Sequence, residues 1–337
     1  MHLGIFAAKP WEKEYLEQQF EGSGFALTFF EHELDADHLP KERSFDAVSV
    51  FVGSRVDQAV LDALPDLRII ATRSTGYDHI DFAACAARGI IVSNVPAYGE
   101  NTVAEMTFAL LLALSRRIYE SYERVREDGN FSQEGLKGFD LQGKTLGVVG
   151  TGRIGRHVIR IAKGFEMEVL ATDPHPDAAF AKEAGFTYMA LEELLVASDI
   201  VSLHVPYLPA THHLLNEERI GMMRRGAILI NTARGAIVET EALVKALESG
   251  QLGGAGLDVL EEEGVIGDEL EFLVSGRTDG HDLKTVLANH ALMHMPNVIV
   301  TPHNAFNTAE ALTRILETTA ANLKTFLAGK PENTVQP

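Results

Sequence analysis

The chain has 337 residues, long for a single hydrophobic core, so two compact units are expected. With 46% hydrophobic and 23% charged residues it has the composition of an ordinary globular protein, which excludes disorder and fibrous repeats. Its 29 Lys and Arg against 48 Asp and Glu give a net charge of −19, which repels nucleic acid and anionic membranes, so any anionic ligand must be held by local positive devices.

The opening MHLGIFAAKPWEKE lacks a basic segment followed by an apolar one, and no secretory signal is expected. Over the first hundred residues the apolar runs HLGIFAA, FALTFF, FDAVSVFV, LRIIATR and IIVSNV alternate with helical patterns such as residues 11–20 and 80–88. These runs read as buried strands of a parallel α/β unit. Cys85 is the only cysteine, which excludes an intrachain disulfide and a cysteine-based zinc site and fits a reducing cytosol. A continuous helix is predicted over residues 101–128, apolar on all sides at first and charged after Ser115. Its apolar part, 103–114, is too short to span a bilayer, so no membrane segment is predicted.

Residues 129–143, with four glycines, read as a loop. A second series of strands follows: LGVVG, EVLATD, DIVSLHV, AILINTA, GGAGLDVL and NVIVTPH, again with helical patterns between most of them. Residues 261–296 carry no strand signal and are long for a loop, so they are expected to hold helices of their own or an active-site insertion. Residues 308–329 are helical in pattern.

The most informative segment is LGVVGTGRIGRHVIRIAKGFEMEVLATD. Gly150, Gly152 and Gly155 form GxGxxG directly after a strand and at the mouth of a helix, the context that motif requires. The first glycine permits a tight turn, the second lets the backbone approach a pyrophosphate, and the third lets helix settle on strand. The helix N-terminus then offers free N–H groups and a positive dipole end to two phosphates. The next strand ends at Asp173, placed to accept hydrogen bonds from adenosine ribose hydroxyls and to repel a 2′-phosphate, so NAD is expected rather than NADP.

Reduction of a 2-oxo acid by such a cofactor needs a cation for the carboxylate, an acid for the carbonyl oxygen, and a group that keeps that acid protonated. Ligands in open α/β sheets bind beyond the carboxyl ends of strands. There, Arg234 follows AILINTA, Glu261 to Glu263 follow GAGLDVL, and His303 follows NVIVTP. Singly, each has a plainer explanation: a surface ion pair, a solvated turn, a helix cap. Together they meet all three requirements. Among the other histidines, His290 and His294 are four apart on one helix face without an HExxH arrangement, and are read as packing or surface. His212 and His213 adjoin a polar loop and are read as solvated. His204 ends the strand DIVSLHV, near the cofactor rather than acting as the acid. No metal is expected.

The segments RSTGYDHID, SNVPAYGENTVAE, GVVGTGRIG, SLHVPY, INTARGAIV, GLDVLEEE and TPHNAF, in this order from about residue 68 to 310, resemble the D-isomer-specific 2-hydroxyacid dehydrogenases and, within them, the D-lactate dehydrogenase branch. The resemblance implies a catalytic set of Arg234, Glu263 and His303, and so picks one glutamate from the run of three. It implies substrate contacts from the backbone N–H groups around Thr75 and Gly76, from the Tyr98 hydroxyl, and from Phe51 and Phe306 as walls of the side-chain pocket. The two phenylalanines could equally be plain core. Cofactor contacts would extend to Arg153, Ile154, His204, Val205, Pro206, Thr232 and Ala233. Asp258 would meet the nicotinamide carboxamide or cap local backbone.

The implied fold is α/β, with two Rossmann-like doubly wound parallel-sheet domains and a cleft between them. Residues 1–100 and 300–337 would form the substrate domain, and 101–299 the inserted NAD domain. The apolar start of the 101–128 helix would lie at a homodimer interface or be buried within its own domain. Gly99-Glu100 replaces the family's Ser-Pro, and Asn304 stands where an apolar residue is common; both fall on the substrate side. The expected activity is reduction of pyruvate to the D-2-hydroxy acid by a cytoplasmic enzyme. A larger 2-oxo acid, such as 2-oxoisocaproate or phenylpyruvate, and an NAD-sensing corepressor-type protein are the alternatives.

Overall fold

The computed structural model describes residues 1–263 and 282–335. The chain divides into two compact units, Met1–Tyr98 with Asn307–Pro337, and Gly99–Phe306. In the first, β1 (His2–Ile5), β2 (Ala26–Phe29), β3 (Ala47–Val50), β4 (Ile69–Thr72) and β5 (Ile91–Ser93) form one parallel sheet in the order β2-β1-β3-β4-β5. The central β3 and β4 are buried at every position, which is why they read as unbroken apolar runs. Val48, Val50, Ile70 and Val92 feed one core, while Ala47, Ile69 and Ala71 feed the other. That second core is closed by Leu316, Ala320 and Leu323 of the C-terminal helix Ala309–Leu327. This burial is the physical reason the tail belongs to the first unit.

In the second unit, β6 (Thr145–Val149), β7 (Glu168–Thr172), β8 (Thr187–Tyr188), β9 (Ile200–Leu203), β10 (Ala227–Asn231), β11 (Leu252–Leu257) and β12 (Val298–Val300) form a seven-stranded parallel sheet in the order β12-β11-β10-β9-β6-β7-β8. Counted from its first strand this is the order of dinucleotide-binding folds, with the reversal between β6 and β9. Leu146, Val148, Ile228 and Ile230 face one core and Val149, Leu203 and Leu229 the other, the period-two alternation of a sheet covered on both faces.

The single helix predicted over 101–128 is two helices, Glu100–Ser115 and Ile118–Asp128. The chain breaks at Arg117, whose φ is +48°. The Ser115 carbonyl accepts the Phe139 N–H at 2.9 Å. A Cβ on Gly138 would stand 2.0 Å from that carbonyl oxygen, so the returning loop closes on the helix end only with glycine there. The first helix spends its apolar surface inside its own unit, where Ala104, Phe108, Leu110 and Leu111 are buried against β-sheet residues. The exposed apolar residues lie on the second helix instead. Within the segment that carried no strand signal, Leu283–His294 is helical, and residues 264–281 lie outside the described residues. No helix among the described residues is long and apolar enough to cross a membrane.

Candidate active site

At the reversal point the chain leaves β6 through Gly150, at φ +95°, and enters the helix Arg153–Gly164. A Cβ on Gly150 would stand 2.7 Å from the His204 carbonyl oxygen and 2.9 Å from Val205 Cγ1, so the turn lies directly on the end of β9. A Cβ on Gly155 would meet the Gly150 carbonyl oxygen at 2.1 Å, which only glycine permits. Gly152 opens on free space and caps the helix without a side chain, leaving the first-turn N–H groups facing outward. Ile154 is set against the core, while Arg153 is exposed and lies 3.9 Å from Glu100. This cradle fits a dinucleotide pyrophosphate.

Asp173 sits one residue beyond β7. Its Oδ2 accepts the Thr151 N–H at 2.7 Å and the Thr151 hydroxyl at 2.9 Å, and its Oδ1 accepts the His175 N–H at 2.8 Å. Burial works against its charge, but these hydrogen bonds hold its carboxyl below the ordinary value, so it is an anion at the place where ribose hydroxyls would arrive.

His204 follows β9, with Nε2 2.8 Å from the Ser202 hydroxyl. Burial alone pushes its imidazole down to about 3, so it is neutral wherever the protein is folded and is unsuited to be the acid. An unfolded chain, with an ordinary histidine, binds the extra proton from about pH 6.5 downward, so His204 costs stability as pH falls through that window toward 3. Between pH 7 and pH 5 this amounts to about 2 kcal/mol. His204→Gln is expected to flatten the decline by that order, read as urea midpoints of variant and parent at the two pH values. Parallel declines would remove His204 as the cause.

Beyond β10 the turn Thr232–Gly235 is shaped by buried Asn231, whose side chain accepts the Ala233 N–H at 3.0 Å and donates to the Arg234 carbonyl at 2.9 Å. The Thr232 hydroxyl is paired with that of Thr107 at 3.1 Å, fastening the turn to the helix Glu100–Ser115. A Cβ on Gly235 would stand 2.0 Å from the Leu260 carbonyl carbon. Glycine there lets the Arg234 turn lie on the loop that carries Glu261 to Glu263.

His303 follows β12 with φ +48°, a left-handed backbone that stores strain. Asp258, just past β11, holds it there. Its Oδ1 accepts the Thr301 hydroxyl at 2.5 Å and the Asn304 N–H at 2.9 Å, its Oδ2 accepts the Ala305 N–H at 2.8 Å, and its carbonyl accepts the His303 N–H at 2.8 Å. Burial pushes the Asp258 carboxyl up, and those donors oppose the rise. Of the two roles implied for Asp258, the geometry displays the backbone cap. From this platform His303 Nδ1 reaches Glu263 Oε1 at 2.6 Å, while Glu263 Oε2 accepts the Leu260 N–H at 3.3 Å. Of the three glutamates, Glu263 is the one on His303.

Glu261 turns elsewhere. Its Oε1 is 2.6 Å from His213 Nε2 and its Oε2 accepts the Thr240 hydroxyl at 2.6 Å, so His213, read as solvated, is half-buried and paired. His212 remains exposed. His290 and His294 lie ring to ring at 4.4 Å on their helix.

Residues 108–305 match the family profile of the D-isomer specific 2-hydroxyacid dehydrogenase, NAD binding domain, and a D-lactate dehydrogenase from Escherichia coli (strain K12) is 39% identical over 98% of each chain. The chain belongs to the D-isomer specific 2-hydroxyacid dehydrogenases. A glyoxylate reductase from Korarchaeum cryptofilum (strain OPF8) is also 39% identical, over 88% of this chain and 84% of its own. The crystal structure of D-lactate dehydrogenase from Aquifex aeolicus, complexed with NAD and lactic acid, matches with a TM-score of 0.86 at 37% identity, covering 98% of this chain and 96% of that one. The protein is thus an NAD-dependent D-2-hydroxyacid dehydrogenase of the D-lactate dehydrogenase branch.

In the first unit of the dehydrogenase, β4 leads into Arg73 to Gly76. The Thr75 hydroxyl is spent on the Val95 carbonyl at 2.7 Å, and the Asn94 amide donates to the Thr75 carbonyl at 2.8 Å. No acceptor among the described residues meets the N–H of Thr75 or Gly76, which suits the backbone clamp implied for them. The Tyr98 carbonyl is held by the Arg314 guanidinium at 2.7 Å. Phe51 lies with the Arg73 guanidinium over its ring at 5.9 Å, and both Phe51 and Phe306 are half-buried rather than core. Sequence reasoning gave no role to Asn231, Arg73 or Arg314. Asn231 stood within the quoted INTARG, but its function is to shape a turn and becomes visible only with the turn.

Proposed function

We propose that the dehydrogenase reduces pyruvate to D-lactate in the cytoplasm, with His303 as proton donor, Glu263 as its partner and Arg234 as the carboxylate anchor. The observation that carries this is the 2.6 Å contact between His303 Nδ1 and Glu263 Oε1 on a strand-end platform beside the Arg234 turn. Reduced nicotinamide supplies a hydride when bound. The chain's own residues supply the rest. Glu263 accepts the Nδ1 proton and fixes the ring, leaving Nε2–H to protonate the carbonyl oxygen. Arg234 receives the carboxylate through its planar fork and stabilises the negative charge that grows on oxygen. By resemblance to the family, the Thr75 and Gly76 N–H groups, the Tyr98 hydroxyl, Phe51 and Phe306 are the further substrate contacts of this proposal.

For the dinucleotide, Gly150, Gly152, Arg153, Ile154 and Gly155 would hold the pyrophosphate and Asp173 the ribose. Val205, Pro206, Thr232 and Ala233, at neighbouring strand ends, would border the nicotinamide side. Pyruvate is favoured because the relatives include D-lactate dehydrogenases and the Aquifex enzyme holds lactic acid. The test is kcat/KM with NADH for pyruvate, 2-oxoisocaproate, phenylpyruvate and glyoxylate. The expected result is pyruvate highest by about tenfold or more, the scale on which pockets resolve added methylenes. A higher value for a larger acid would overturn the substrate, and NADH binding without turnover would overturn the enzyme reading in favour of sensing.

A homodimer is also proposed, through the helix Ile118–Asp128 rather than the one before it. Ile118, Tyr119, Tyr122 and Val125 form an exposed apolar face there, and Phe131 just beyond is 84% exposed. Sedimentation equilibrium should give twice the chain mass; a monomer would overturn it.

A further inference from the structure

We propose that His212, His213 and Glu261 form a binding site for a borderline divalent metal ion, of which Zn²⁺ is the representative, apart from the His303–Glu263 pair. One ligand atom from each of the three side chains lies within 4.8 Å of the others. Two imidazole nitrogens and one carboxylate oxygen suit zinc and its neighbours, whereas Mg²⁺ and Ca²⁺ call for oxygen ligands alone.

The three groups are held from behind. Glu261 presents Oε1 because Oε2 is fixed by the Thr240 hydroxyl at 2.6 Å and the Thr240 N–H at 3.3 Å, while its carbonyl accepts the Asn289 amide. His213 is brought to Oε1 by a left-handed backbone, φ +46°, and by its N–H on the Ala236 carbonyl at 2.8 Å. A histidine kept in that conformation, with its ring lodged against a carboxylate, is positioned rather than merely solvated. His212 stacks on His213 with ring centroids 3.9 Å apart, which places a second imidazole at the same carboxylate.

His213 Nε2 and Glu261 Oε1 stand 2.6 Å apart, a hydrogen bond that needs one proton between them. A metal ion would replace that proton, with the pair opening to the separation of two ligands on one ion, and His212 completing three protein ligands. Because His212 is exposed, a fourth position faces water. The backing of Glu261 by Thr240 is the outer-shell support that such sites use. The histidine pair His290 and His294 also competes for any metal, and the test must separate the two sites.

The experiment is calorimetric titration of the purified full chain with ZnCl₂ near pH 7 in non-chelating buffers of different ionisation enthalpy, for the parent, His212→Ala and His290→Ala. His212 is exposed, so its loss leaves the fold intact, checked by unchanged NADH binding. The expected result is one Zn²⁺ per chain with proton release, weakened about tenfold or more in His212→Ala and unchanged in His290→Ala. Absence of Zn²⁺ binding in the parent, unchanged affinity in His212→Ala, or loss in His290→Ala instead would each overturn the site.

Discussion

His303→Ala is expected to lower kcat for 2-oxo acid reduction by about three orders of magnitude while NADH affinity stays within about twofold, the range that positioned general acids supply. The argument rests on geometry. His303 is the side chain at the end of β12 that Glu263 touches, and Asp258 spends both carboxylate oxygens on holding its loop. In the proposed role a ring held this firmly, in a left-handed backbone, is the proton donor, and alanine removes it. The backbone itself supplies a control. Asparagine tolerates φ near +48° better than alanine, so His303→Asn relieves any strain yet still lacks a proton donor. Equal losses in the two variants locate the effect in the imidazole. Activity in His303→Asn near that of the parent would reduce His303 to a backbone role.

Arg234→Lys is the second large effect, with kcat/KM for the 2-oxo acid expected to fall by about a hundredfold or more and NADH binding preserved. Lysine keeps the positive charge but loses the planar fork that meets a carboxylate with two parallel hydrogen bonds. The turn that presents Arg234 is shaped chiefly by its neighbours: Asn231 fastens its carbonyl, Gly235 lies on the Leu260 carbonyl, and the guanidinium adds one bond of its own, from Nη1 to the Ala233 carbonyl at 2.8 Å. Unchanged NADH binding in the variant shows that the turn is kept, so that the loss reports the guanidinium on the substrate. Steady-state kinetics decide it, and a loss of less than about threefold would show that charge alone suffices at this position.

Much of this site could be read from sequence because its devices are local. Gly150, Gly152 and Gly155 declare themselves through a strand, a turn and a helix within a few residues, and Asp173 follows at the end of the next strand. Arg234 and His303 were legible as polar residues three positions past the apolar strands β10 and β12. What resisted was long-range. Glu261, Glu262 and Glu263 are equivalent to any local argument. Only folding sends Glu261 to His213, 48 residues away, and Glu263 to His303, 40 residues away; family resemblance had to choose between them.

The break at Arg117 escaped for a similar reason. The change from apolar to charged after Ser115 resembles a helix emerging from a core, and the stop is imposed by Phe139 and Gly138 from the far side of a loop. The two-residue β8 is too short to carry a periodic signal at all. The tail helix was legible as a helix, but its place on the first unit follows from Leu316, Ala320 and Leu323 meeting Leu3, Ile5 and Ile69, a pairing no local pattern announces.

The most direct test of the central claim is the chirality of the product when purified protein, NADH and pyruvate react to completion. The arrangement of Arg234, Glu263 and His303, in a chain of this family, predicts D-lactate alone, with one NADH consumed per lactate formed. L-lactate, a racemic product, or pyruvate left unreduced while NADH is bound would contradict it.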